Sequence, residues 1–171
     1  MPRNITQPRG LGFIMSVKVD AGRASGTVTR RSMTGFLARL KFSLVYWYSR
    51  KQNSVEYSSS GPEFIAMNQC CEYLCGIRYK LRMMGIPCVG PAYILGENQY
   101  VLANTSIPDS KIKKNNQSIS YHFIREEAAR DEWMTLYVNT HNIEADLLTK
   151  LLTSGYKKKV FLRSLMHHIF G

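Results

Sequence analysis

The sequence predicts an α/β layer fold, a five-stranded mixed sheet flanked by helices. Three strand-like stretches follow one another between residues 12 and 51. Two more stand singly among helical stretches, an order that requires both antiparallel neighbours and crossover connections. The composition agrees: 44% hydrophobic and 20% charged over 171 residues suits one domain with a real core.

Each element has its own signal. Residues 1–11 carry Pro, Arg and Gly without periodicity and read as a flexible lead-in. In "GFIMSVKVD" (12–20), Phe13, Met15, Val17 and Val19 alternate with Ser16, Lys18 and Asp20, a half-buried strand ending in an acid. "GRASGTVTRRS" follows as a turn and basic loop. "TGFLARLKF" and "SLVYWYSR" are rich in aromatic and aliphatic residues and form a strand pair, with Trp47 and Tyr48 read as core residues rather than stacking platforms. Ser60-Gly-Pro-Glu63 has the form of a capping box opening a long helix to about Met84, which Gly85 and Pro87 stop. "AYILGE" is a fourth strand and "NQYVLANTS" a short helix. "IPDSKIKKNNQ" is a polar basic loop, "SISYHFIREEAARDE" a helix and "WMTLYVN" a fifth strand. "NIEADLLTKLL" reads as a helix capped by Asn142, and residues 154–171 as a C-terminal amphipathic helix packed on or trailing a domain spanning 12–153.

The totals exclude several classes. No stretch approaches the ~18 apolar residues of a membrane helix, and "MPRNITQPRG" lacks a secretion signal's apolar centre. Cys70, Cys71, Cys75 and Cys88 are crowded together, which fits buried reduced thiols better than a disulfide framework. An intracellular protein without a membrane role is expected. Twenty-three basic against twelve acidic residues give a net charge of +11, grouped in runs, and a polyanion such as nucleic acid is the partner this suggests. A basic surface kept for solubility is the alternative.

Acids stand where strands end and helices begin. Asp20 ends the first strand and Glu97 the fourth; Glu63 and Asp146 lie near helix starts. Each has a structural explanation: polar strand ends, a capping-box partner, and the attraction of carboxylates to positive helix N-termini. His122 and Arg125 lie one turn apart on a helix, facing either nucleic acid or a packing partner. His141 reads as a loop residue.

Ordered blocks carry a resemblance. "VDAG" (19–22), "TRRSMTG" (29–35), "WYSRKQ" (47–52), "SSSGPEFIA" (58–66), "GENQ" (96–99), "YHFIRE" (121–126) and "ADLLTKLL" (145–152) resemble, in sequence order, the ribonuclease H domain of copia-type retrotransposon Pol polyproteins. The resemblance covers roughly residues 12 to 165. It implies a ribonuclease H-like fold, a site in which Asp20, Glu63, Glu97 and Asp146 hold two Mg²⁺ (or Mn²⁺) ions, and hydrolysis of the RNA strand of RNA/DNA hybrids. It also implies an upstream reverse transcriptase as a partner. Arg30, Arg31, Arg50, Lys51, Lys113, Lys114, His122 and Arg125 are then the candidates for nucleic-acid contact.

Four positions depart from the family pattern: Glu97 replaces an aspartate, Gly22 an acid, Asn116 a histidine and Leu151 a proline. The added methylene at Glu97 pushes its carboxylate outward, and about 1 Å of misplacement can cost on the order of 10²-fold in rate. Impaired catalysis is therefore expected, with an inactive relic that only binds nucleic acid as the alternative.

Overall fold

The computed structural model describes residues 13–22, 30–55, 60–88, 90–106, 118–150 and 155–165. Its elements are β1 (Met15–Gly22), β2 (Met33–Leu40), β3 (Ser43–Lys51), α1 (Gly61–Met83), β4 (Ala92–Gly96), α2 (Gln99–Ser106), α3 (Ser118–Ala129), β5 (Trp133–Tyr137), α4 (Asp146–Thr149) and α5 (Tyr156–Leu165). The five strands form one sheet in the order β3-β2-β1-β4-β5. β1 is antiparallel to β2 and parallel to β4, so the predicted mixed sheet is present.

Alternation on β1 sends Met15, Val17 and Val19 to one face, where they are buried with Phe36, Ala38, Phe64, Met67, Leu74, Ile94, Ile124 and Trp133. Helices α1 and α3 cover this face, with Phe64 stacked on Tyr121 at 5.5 Å between ring centroids. The other face carries Lys18, Asp20, Gly35 and Leu37, and residues 140–150 pack over it.

Helix α1 ends where Gly85 adopts φ +73°, a conformation that costs glycine little. The Ile86 and Gly85 amides return to the Leu81 and Arg82 carbonyls, which closes the last turn. Near that end, buried Arg78 donates to Glu132 at 2.7 Å, and Arg82 adds a second contact at 2.8 Å. Burial alone would raise the Glu132 pKa, but hydrogen bonds from Arg82 and Arg78 outweigh it and hold the carboxyl below its usual range. A depressed folded pKa gives stability that is full above the ordinary glutamate range and lost as pH falls through the lowered value. Glu132→Gln is expected to cost about 1–2 kcal/mol at pH 7, with the melting-temperature gap to wild type closing as pH falls below the ordinary glutamate range.

Three local readings are corrected. Ser60 makes no side-chain capping bond, because its backbone is helical rather than extended. Of the predicted helix over 142–152, the described residues 142–150 do not form one helix. Thr140–Asn142 make a 3-10 turn, and α4 is a single turn beginning at Asp146. The chain leaves the helical path between them so that Ile143 and Ala145 are buried and Glu144 can meet Lys18 and Arg39, each at 2.9 Å. Asn142 therefore caps nothing; its carbonyl accepts from Lys18 Nζ at 3.0 Å. Trp47 is 64% exposed, because β3 is an edge strand whose outer half the 140–150 segment leaves bare.

Candidate metal centre

The carboxylates gather at the C-terminal edge of β1 and β4. Asp20 lies in the central strand, fully buried, paired across the ladder with Gly35. Glu97 follows β4 directly, and Asn98 fixes its position by capping α2: the Asn98 side chain accepts from the Val101 amide at 3.2 Å. Glu63 sits in the first turn of α1. Buried Gln52 anchors that turn, its Nε2 donating to Pro62 O at 2.9 Å and to Thr34 Oγ1 at 3.1 Å.

Asp20, Glu63 and Glu97 each bring one carboxylate oxygen within 4.8 Å of the others. The longer Glu97 side chain thus reaches the group. Asp146 does not belong to this group of three; a lysine bridges it to them. Lys150 Nζ lies 2.7 Å from Asp146 Oδ1, 3.6 Å from Asp20 Oδ2 and 3.8 Å from Glu97 Oε1. The other Asp146 oxygen accepts from Lys157, which α5 supplies. Burial alone would lower the Lys150 pKa, but its hydrogen bond to Asp146 and the charges of Asp20, Asp146 and Glu97 outweigh it and raise it.

Thr149 donates its hydroxyl to Asp20 Oδ2. Burial pushes the Asp20 carboxyl up; the Thr149 bond and the Lys150 charge oppose that, while Asp146 and Glu97 add to it. Asp20 Oδ1 and Glu97 Oε2 are buried without a hydrogen-bond partner among the described residues. A buried oxygen in that condition is costly. An all-oxygen donor set of this kind suits a hard divalent cation such as Mg²⁺, and the residues fit one.

The turn that carries these groups is pressed hard against the sheet. Ser49 donates to the Leu148 carbonyl at 2.7 Å. Glu144 ties the segment to Lys18, Arg39 and Ser164 of α5. A Cβ on Gly22 would meet the Thr149 carbonyl oxygen at 2.2 Å, which accounts for the missing acid at this position.

The basic candidates divide. Arg30 and Arg31 are exposed just before β2, and Arg50 and Lys51 are exposed at the end of β3. The register, Met33 with Lys51 and Gly35 with Asp20, puts these four at the same end of the sheet as the acids. His122 is exposed on α3, while Arg125 is engaged with Tyr121, its guanidinium 4.4 Å from the ring centre. Lys113, Lys114, Asn116 and Leu151 lie outside the described residues. Sequence reasoning missed Thr149, Lys150 and Lys157 as site residues. The Asp146–Lys150 spacing of one helical turn was a readable signal; Lys157 had none.

The fold and this edge define a ribonuclease H-like domain. Its overall structure is similar to LC11-RNase H1, isolated from compost by a metagenomic approach, with a TM-score of 0.61 at 14% identity over 80% of this chain and 92% of that one. The reverse transcriptase of Prototype Foamy Virus, in its protease-fused form, matches with a TM-score of 0.57 at 12% identity, over 80% of this chain and 20% of that one. No protein-family model matches the chain. In sequence the chain is related to retrovirus-related Pol polyproteins of copia-type transposons. It is 30% identical over 137 residues to the RE2 polyprotein of Arabidopsis thaliana, covering 78% of this chain and 9% of the relative. It is 25% identical over 147 residues to the TNT 1-94 polyprotein of Nicotiana tabacum, covering 81% and 10%. The chain thus spans about a tenth of the length of the curated relatives it matches. No helix among the described residues is long and apolar enough to cross a membrane.

Proposed function

We propose that this domain binds RNA/DNA hybrids and hydrolyses the RNA strand with divalent cations, Mg²⁺ or Mn²⁺, held by Asp20, Glu63 and Glu97. The observation that carries the reading is the convergence of three carboxylates from separate elements, two of them with a buried oxygen left unpartnered. When bound, such cations activate a water for attack on phosphorus and stabilise the leaving oxygen. Thr149 holds Asp20 in place, and Asn98 and Gln52 hold the segments carrying Glu97 and Glu63. Arg30, Arg31, Arg50 and Lys51 would draw the phosphate backbone to this edge, and the wide minor groove and 2′-hydroxyls of the RNA strand would be read with little sequence preference. A structural relative, LC11-RNase H1, has been determined in complex with an RNA/DNA hybrid. By the same reading, residues 12–153 form the catalytic unit, α5 packs on it and supplies Lys157, and an upstream reverse transcriptase is the partner.

A second reading is binding without cutting, favoured by one observation: both Asp146 oxygens are taken by lysines. The test is strand-labelled hybrid incubated with Mg²⁺ and with EDTA, beside duplex DNA. Slow, cation-dependent cutting of the RNA strand alone is the expected result, and Lys51→Gln should reduce the salt dependence of log K by roughly one counterion. Salt-sensitive binding with no cutting would favour the second reading. Cutting only by Glu97→Asp would make the added methylene the cause of inactivity, and no hybrid binding would overturn both readings.

A further inference from the structure

Lys150 and Lys157 stand where a metal-binding carboxylate would be expected to be open. The Asp20 and Glu97 carboxylates are each divided: Asp20 Oδ2 and Glu97 Oε1 lie within 4 Å of the Lys150 ammonium, while Asp20 Oδ1 and Glu97 Oε2 are buried with no hydrogen-bond partner among the described residues. From this division we infer that Lys150 is a built-in cation on the Asp146 side, so that the free protein takes a single divalent ion, between Asp20, Glu63 and Glu97. A second ion would have to displace Lys150 from Asp146. This rests on the metal reading of the site proposed above and adds which chain group competes with the second ion.

The physical basis is charge and space. Paired catalytic ions share the carboxylates between them, only ~3.5–4 Å apart, and Lys150 Nζ already lies 2.7 Å from Asp146 Oδ1, 3.6 Å from Asp20 Oδ2 and 3.8 Å from Glu97 Oε1. A divalent ion entering the same oxygens would meet an ammonium at contact distance, which should weaken a second site by at least ~10-fold. Lys157 closes the remaining Asp146 oxygen from a different helix, so the lock has two parts with separate origins. The Lys150 side chain is 38% exposed, which gives it water to withdraw into.

The experiment is a Mn²⁺ titration of the free protein, read by electron paramagnetic resonance for stoichiometry and for the coupled signal of a close Mn²⁺ pair. Wild type is expected to bind one ion with no pair signal. Lys150→Met should bind two and show the pair signal, Lys150→Arg should remain at one, and circular dichroism checks that each variant is folded. If Lys150→Met is unfolded, Lys157→Met serves in its place, with a second ion bound at least ~10-fold more tightly than in wild type. Two ions in wild type, or one ion in a folded Lys150→Met, overturn the inference while leaving the metal site intact. No ion in either protein overturns the metal reading itself.

Discussion

Asp20→Asn is expected to reduce divalent-cation affinity by more than about 100-fold, since even the outer partners of metal ligands cost 10- to 100-fold when lost. The same change should raise the melting temperature of the cation-free protein. Asp20 is fully buried in the central strand, and one of its oxygens lacks a hydrogen-bond partner. Its pKa is raised first by that burial and further by the neighbouring Asp146 and Glu97. An amide keeps the shape, still accepts from Thr149 and removes the buried charge, so about 2–4 °C of stabilisation follows for each kcal/mol relieved. Adding Mg²⁺ should then stabilise wild type by mass action and leave the variant unmoved. Paired melting curves with and without Mg²⁺ measure both effects. A variant that melts lower than wild type without cation would contradict the view that Asp20 is held charged at a cost for the sake of a ligand.

Gly22→Ala is expected to destabilise the fold by about 3 kcal/mol, the upper end of what overpacking costs. The new methyl would strike the Thr149 carbonyl oxygen, which is backbone and cannot rotate aside. Relief requires α4 to lift from the sheet, and α4 carries Asp146 and Thr149, with Lys150 directly after it. Thr149 would lose Asp20, Ser49 would lose the Leu148 carbonyl, and the Lys150 bridge between Asp146 and the other acids would open. Denaturant unfolding measures the cost, and the cation titration should degrade in parallel. Gly35→Ala meets mainly side chains, the Thr149 methyl and Leu148 Cβ, so it should cost less.

The strands were legible because their alternation is local. Val17 and Val19 face one way and Lys18 and Asp20 the other whatever the tertiary context. The ends of α1 were legible as chain positions, since Pro62 fixes its own φ in the first turn and Gly85 admits the left-handed conformation that stops the helix. What failed needed long-range contacts. A continuous helical pattern over 142–152 gave way because Glu144 is worth more beside Lys18 and Arg39 than in a helix. Trp47 alternates correctly, but nothing in the sequence says how far a distant segment covers an edge strand. In the site, Asp20, Glu63 and Glu97 were readable from the order of the motif blocks. Lys157 was not, because its contact to Asp146 joins two helices and depends on how α5 docks. Gly22 looked like a lost acid until the Thr149 carbonyl was seen against it.

The most direct measurement is the anomalous scattering of a crystal soaked in Mn²⁺. The prediction is a peak with oxygens of Asp20, Glu63 and Glu97 at roughly 2.0–2.3 Å. A map with no peak at this edge, or with the ion held by other residues while these three carboxylates point apart, would contradict the proposed metal-dependent nuclease site.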